Sequence, residues 1–190
     1  MLKDLVLKNR SYRRFYREVK VEMQTLKELI DIARFTGSAR NMQSMRYLLS
    51  CTDETNAKIF PNLMWAGYLK DWDGPEEGEK PAAYIVIMHD KEISNNFFCD
   101  DGIVAQTILL GAVEKGLGGC MFSSVNREGV RKEFGIPEKY DILHVLALGK
   151  PKETVVIDQV KPDGDIKYWR DNDQVHHVPK RSLEDLIVGF

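Results

Sequence analysis

A chain of 190 residues with 43% hydrophobic and 29% charged content has the composition of one globular domain, long enough to bury roughly 70% of its unfolded surface. Its formal net charge of −2 leaves no long basic face to track a nucleic-acid backbone, and no apolar run approaches membrane-spanning length. Cys51, Cys99 and Cys120 are odd in number, widely spaced and without CxxC or Cys/His metal spacing, so they read as reduced thiols in a cytoplasmic protein with no metal site.

The first ten residues, MLKDLVLKNR, lack the apolar core of a signal peptide, and Leu2, Leu5 and Val6 predict a short amphipathic helix to Lys8. It runs into Asn9-Arg10-Ser11-Tyr12-Arg13-Arg14-Phe15. Three arginines and a hydroxyl within five residues can wrap a phosphate, because the guanidinium fork matches phosphate oxygens. The plain alternative is a solvated basic turn. Thr25-Leu26-Lys27-Glu28 has the form of a capping box, and Leu26, Leu29, Ile30 and Ala33 give the following helix its buried stripe. Small and amide residues then fill Gly37 to Arg46, ahead of a strand predicted from Tyr47 to Cys51. Amides offer both donor and acceptor, which a ring edge carrying carbonyl and N–H groups requires; a loop bonded only to itself is the other reading.

Residues 56–80 are irregular. Phe60, Leu63, Met64, Trp65, Tyr68 and Trp72 are too apolar for a free linker, and the acidic turn-rich DWDGPEEGEK follows. This stretch is expected to be a helical turn and loop, either a lid over a pocket or a satellite of the core. Ala82 to Met88 predicts a buried strand. Asp100 to Asn126 predicts the central helix, with Asp100 or Asp101 as its N-cap and Gly116 as its stop. Gly118 and Gly119 permit another backbone or a ligand to come close. Met121 to Ser124 is then either a connecting loop or a row of backbone N–H groups facing a bound ring. Asn126 is expected to cap a helix from Arg127 to Phe134 that ends at Gly135. Asp141 to Leu148 predicts a second buried strand, in which His144 reads as a core histidine. Thr154 to Val160 reads as extended, Ile166 to Asp171 as turn-flanked, and Lys180-Arg181 as a basic pair opening an amphipathic turn. His176 and His177 are adjacent and point different ways in any regular structure, which makes a poor metal site.

The order of these pieces carries more than any one of them. Arg-Ser-x-Arg-x-Phe is followed by Ser-Ala-x-Asn-x-Gln, the helix that opens Asp-x-Gly, Gly-Leu-Gly-Gly-Cys, Gly-Ile-Pro-Glu-x-Tyr, Ala-Leu-Gly-Lys-Pro and Val-Pro-Lys-Arg-x-Leu. From Leu5 to Ile187 this succession resembles the nitroreductase family of FMN-dependent oxidoreductases. The resemblance implies a single α+β domain over residues 1–190, a mostly antiparallel sheet flanked by helices. It implies a homodimer with FMN at the subunit interface and the C-terminal segment 184–190 exchanged across it. By position, Arg10, Ser11 and Arg13 would meet the FMN phosphate and the pyrimidine edge, and Lys180 and Arg181 would complete the phosphate site. Ser38, Asn41 and Gln43 would approach from the partner subunit. Met121, Phe122, Ser123 and Ser124 would lie beside the isoalloxazine, with a backbone N–H near N5. The implied chemistry is hydride transfer from NADH or NADPH through flavin N5 to a nitroaromatic, quinone or related small-molecule acceptor, in a ping-pong cycle without a protein nucleophile. The alternatives are a flavin carrier or sensor without turnover, and another reductive chemistry such as dehalogenation. Asn9 stands where many members have a basic residue, Ser123-Ser124 where several have Glu-Gly, and Lys80 is the candidate for a lysine that some members place before the second strand.

Overall fold

The computed structural model describes residues 1–189, so Phe190, the end of the expected exchanged tail, lies outside the described residues. In chain order the elements are α1 (Leu2–Lys8), β1 (Phe15–Tyr16), α2 (Met23–Ala33), β2 (Met45–Ser50), α3 (Asp53–Ile59), β3 (Ala83–Asp90), α4 (Asp100–Glu114) and β4 (Gly118–Phe122). There follow α5 (Arg127–Phe134), β5 (Tyr140–Pro151), β6 (Val155–Gln159), β7 (Trp169–Arg170), β8 (His176–Lys180) and α6 (Leu183–Leu186). Short 3-10 turns cover 39–41, 60–62 and 77–79.

β2, β3 and β5 lie side by side, and β4 and β1 pair with the opposite edge of β5, every pairing antiparallel. The predicted α+β class and mostly antiparallel sheet are thus what the chain forms. β3 is buried at every residue, as the run of branched side chains implies. Its side chains alternate between two cores. Ile85 and Ile87 join Leu146 and Leu148 of β5 beneath α2 and α4. Tyr84, Val86 and Met88 join Val145 and Ala147 on the other face, with Ile59 of α3 and Val130 of α5. Each such fully buried aliphatic side chain contributes about 1.5–3 kcal/mol. β6, β8 and β7 form a separate three-stranded sheet, β6 parallel and β7 antiparallel to β8.

Local signals place most element ends. The Asn126 side chain accepts from Gly129 N, and Gly135 adopts the left-handed conformation (φ 60°) that closes α5. Gly116 does the same after α4, at φ 72°. Two caps differ from expectation. Helix α2 begins at Met23, one turn ahead of the Thr25 box, with Glu22 at its N-cap. Helix α4 is capped at Cys99, and Asp100 and Asp101 lie inside its first turn, because their carboxylates are bonded to other parts of the chain. Between Ile87 and Met88 the partner register jumps from His144 to Ile142, a β-bulge at Leu143. A bulge re-aims side chains. Here Leu143 packs against the α4-side core while the neighbouring His144 reaches Asp101 of α4, so His144 is half-buried and hydrogen-bonded rather than part of the apolar core.

Candidate functional site

The Arg10–Arg13 segment and β4 lie edge to edge. Ser11 forms a parallel bridge to Gly119, and Tyr12 N donates to Gly119 O at 3.0 Å. Only glycine permits this approach: a Cβ at Gly118 would stand 2.5 Å from the Tyr12 ring, and one at Gly119 2.6 Å from Ala147 O. Along this seam runs a cleft of about 390 Å³, lined by Arg10, Ser11, Arg13, Met121 and Lys180 together with Gln106 and Leu109 of α4 and Tyr168 and His176 of the small sheet region. Two motifs more than a hundred residues apart in sequence therefore face one space.

The arginines divide by partner. Arg14 spans the buried carboxylate of Glu79, which Lys152 also contacts at 2.9 Å; the two cations hold the Glu79 pKa down to about 2. That arginine belongs to the scaffold, not to the cleft, although it sits within the basic run. Arg13 is buried, its backbone N–H donating to Glu153 and its guanidinium lying 4.7 Å from the Tyr168 ring centroid. Its Nη1 donates to Ser11 O and to His176 Nε2, both at 3.2 Å. His176 is held neutral in consequence. Burial first, then Arg13 and Arg170, push its pKa down to about 4. Its Nδ1 is buried with no protein partner among the described residues, and the same is true of Arg10 Nε, while Arg10 Nη2 donates to Val6 O at 2.6 Å. Two orphaned N–H donors on cleft-lining residues, with Lys180 beside them, describe a site short of an acceptor.

The remaining candidates lie elsewhere within one chain. Ser38 and Gln43 line a second recess of about 180 Å³ with Asp100, Val104 and Tyr47, and share no lining residue with the cleft. Ser38 Oγ donates to Asp100 Oδ2 at 2.6 Å, Ala39 N donates to Asp100 Oδ1 at 3.0 Å, and Gln43 N donates to Ser38 Oγ at 2.9 Å. This tie holds Arg40, Asn41 and Gln43 at φ of 53°, 56° and 52°, a sparsely populated region for non-glycine residues. Asn41 and Gln43 are exposed on that strained loop. Arg181 lines a different shallow recess with Gln159, Lys161 and Asp185. Phe122 is buried under Trp65, ring centroids 4.6 Å apart, and Ser124 O accepts from Met64 N at 3.1 Å. Through these contacts residues 64–65 of the irregular stretch are fastened to the end of β4. Cys120 is buried, which pushes its thiol up to about 11 and leaves it a packing residue.

Sequence reasoning missed Gln106, Tyr168 and His176 on the cleft and the bonding of His144. Tyr168 and His176 reach it through contacts that span more than a hundred residues, which no local pattern displays; for Arg13 and His176 the separation is 163.

With that geometry in view, comparison with known proteins gives a consistent answer. The model of the family described as "Nitroreductase family" matches residues 6–150. A Bacillus subtilis (strain 168) protein provisionally named NAD(P)H nitroreductase YodC is 23% identical, with 77% of this chain and 88% of that protein covered. A nitroreductase family protein of Streptococcus pneumoniae TIGR4 superposes with a TM-score of 0.69 at 15% identity, over 86% of this chain and 96% of the other. An FMN-dependent nitroreductase of Clostridium difficile R20291 superposes with a TM-score of 0.64 at 21% identity, over 98% and 96%. The glycine seam, the all-antiparallel five-stranded sheet and the family match over most of its length lead to one conclusion: this chain belongs to the nitroreductase family.

Proposed function

We propose that the protein is an FMN-dependent NAD(P)H oxidoreductase that works as a cytoplasmic homodimer. The observation that carries the reading is the cleft in which Arg10, Ser11, Arg13 and Lys180 converge beside Gly119 and Met121. A phosphate monoester brings about −1.5 to −2 charges, which suits a site with three cations and two unsatisfied N–H donors. When bound, FMN supplies hydride transfer at N5, from NADH or NADPH to a nitroaromatic, quinone or related acceptor in ping-pong order. Arg10 and Lys180, with Ser11, are assigned to the phosphate. Arg13, fixed by Glu153, Tyr168 and His176, is assigned to the pyrimidine edge, where its charge favours negative charge on a reduced ring. Because His176 is neutral, it offers the ring a donor without adding repulsion against Arg13. Met121, Phe122, Ser123 and Ser124 border the reactive side.

A second copy of the chain supplies what one chain lacks. The strained loop of Ser38, Asn41 and Gln43 is tied to Asp100 and contributes no lining residue to the cleft of its own chain, as a contribution to a partner's site requires. Phe35, Leu183, Leu186, Ile187 and Val188 are 63–75% exposed, an apolar surface suited to burial between subunits.

Loading with FMN and anaerobic titration with NADH or NADPH test the reading: the purified protein is expected to be yellow and to bleach. Protein that takes up flavin but is bleached by neither nicotinamide would be a carrier or sensor. Arg10→Ala is expected to weaken FMN binding by about 1.5–3 kcal/mol through loss of a charge-assisted contact; unchanged affinity would remove Arg10 from the phosphate site. Deleting residues 184–190 is expected to shift the dimer toward monomer in sedimentation, and a stable flavin-loaded dimer without them would rule out the exchanged tail.

A further inference from the structure

Ser123, at the exit of β4, is exposed, and its Oγ lies 3.1 Å from Nδ1 of His144. The other ring nitrogen, Nε2, lies 2.8 Å from Oδ2 of Asp101 in the first turn of α4. Three separate elements thus deliver a hydroxyl, an imidazole and a carboxylate into one hydrogen-bonded line. Two features hold that line in register. The bulge at Leu143 lets two successive residues of β5 serve the α4 side, and the Arg127 guanidinium clamps the bulge to the end of β4. Arg127 donates to the carbonyls of Ile142 at 2.8 Å, Leu143 at 3.2 Å and Ser123 at 3.1 Å. Among the described residues, Asp101 from α4 is the charged group bonded to the imidazole, and the Arg127 guanidinium from α5 is spent on the main-chain oxygens around it.

We propose that Asp101, His144 and Ser123 form a proton relay that opens at Ser123 Oγ and supplies the proton a two-electron acceptor takes up with its hydride. The inference rests on the assignment of Met121 to Ser124 to the border of the flavin ring. A quinone that receives a hydride needs one proton to become a hydroquinone. A nitro group that receives a hydride needs one to become a nitroso group and water. The electron pair is the reduced cofactor's; the proton is this chain's part. The resting ring carries its proton on Nε2, held by Asp101, and Nδ1 first takes up a second proton from water. Ser123 Oγ–H then gives its proton to the acceptor oxygen as His144 Nδ1–H replaces it, and the ring returns to its Nε2–H form. In serine hydrolases the carboxylate holds Nδ1 and the hydroxyl meets Nε2. Here the two nitrogens exchange roles, which still leaves one fixed and one mobile. Ser123 is the group that touches the acceptor; His144 is the shuttle and Asp101 a positioning residue.

The test uses FMN-loaded, full-length protein and reads reoxidation of the reduced form by two acceptors under anaerobic stopped flow. One is a quinone; the other is ferricyanide, which takes an electron and no proton. In H144Q and in S123A the quinone rate is expected to fall about 10²-fold, while the ferricyanide rate is unchanged. Equal losses with both acceptors, or no loss with the quinone, overturn the relay. A second readout needs no flavin: the imidazole ¹⁵N spectrum of His144 should report Nε2–H in the wild type and move to the other tautomer in D101N. An identical spectrum in the two overturns the line as drawn. Stoichiometric labelling of Ser123 by a fluorophosphonate would make it a nucleophile and overturn the relay as well. Protein that never takes up FMN defeats the function proposed above; protein that loads, bleaches with NAD(P)H and reoxidises identically in H144Q defeats only the relay.

Discussion

In the five-stranded sheet, β3 is buried at all of its residues and the cores on its two faces are almost wholly apolar. In the three-stranded sheet only His176 is buried, and the ties are charges and rings. Glu153, just ahead of β6, is buried and accepts from Arg13 N and from Arg170 Nη2 at 3.0 Å, and Arg170 stacks 4.3 Å from the Trp72 ring centroid. His177 lies between Asp158 at 2.8 Å and Asp171 at 3.2 Å, under Trp169. The cleft sits where the two meet. One wall, β4 and α4, is set by close packing; the other, Tyr168 to Lys180, is set by electrostatics. The first wall should answer to changes of volume and the second to changes of charge or pH.

The largest expected effect comes from the charged side. Glu153→Ala leaves the Arg13 N–H and the Arg170 guanidinium without their buried acceptor, and removing one partner of a buried ion pair costs about 3–5 kcal/mol. Urea denaturation measures the cost, and hydrogen exchange should show the loss concentrated in β6, β7 and β8. If protection falls evenly across both sheets, the contrast between them is wrong. Next is the apolar side. Ile85→Ala should cost about 2–5 kcal/mol with the pH dependence of stability unaltered, since no titratable group touches that term.

The smallest effects, and the sharpest test of the comparison, come from the adjacent histidines. The pKa of His176 is pushed down from 6.5 to about 4, so between those values the unfolded chain binds the extra proton and stability falls as pH drops. For His177, burial acts to lower the pKa, but Asp171 and Asp158 together raise it above 6.5. Its stabilisation is complete below pH 6.5 and is lost as pH rises through the folded pKa. Two neighbours therefore limit the small sheet from opposite sides. His176→Gln should flatten the acid limb of a Tm–pH curve and His177→Gln the alkaline limb; the same limb affected by both would contradict the assignment.

Much of the fold was legible in the sequence because it is encoded locally. The Asn126 cap, the left-handed Gly116 and Gly135 and the β-branched run of β3 each act within a few residues. What escaped was encoded at a distance. Asp100 looked like a helix cap because nothing near it reveals that Ser38, 62 residues away, takes its carboxylate. His144 looked like core because a bulge cannot be seen in an alternating pattern, and Arg14 looked like a phosphate ligand because Glu79 lies 65 residues downstream. For the site, the glycine seam and the arginine-serine segment were visible as motifs. Their meeting, and the wall contributed by Tyr168 and His176, depend on long-range pairing.

One element borders both recesses. Asp100 and Val104, in the first turns of α4, face the recess of the strained loop, while Gln106 and Leu109, further along, face the cleft. In a dimer assembled as proposed, a single rod of fifteen residues would therefore touch its own flavin with its middle and brace, through the loop tied to its first turn, the flavin next door. A sideways shift of that rod would be felt at two redox centres at once, so the pair of sites would share a mechanical part and not only an interface.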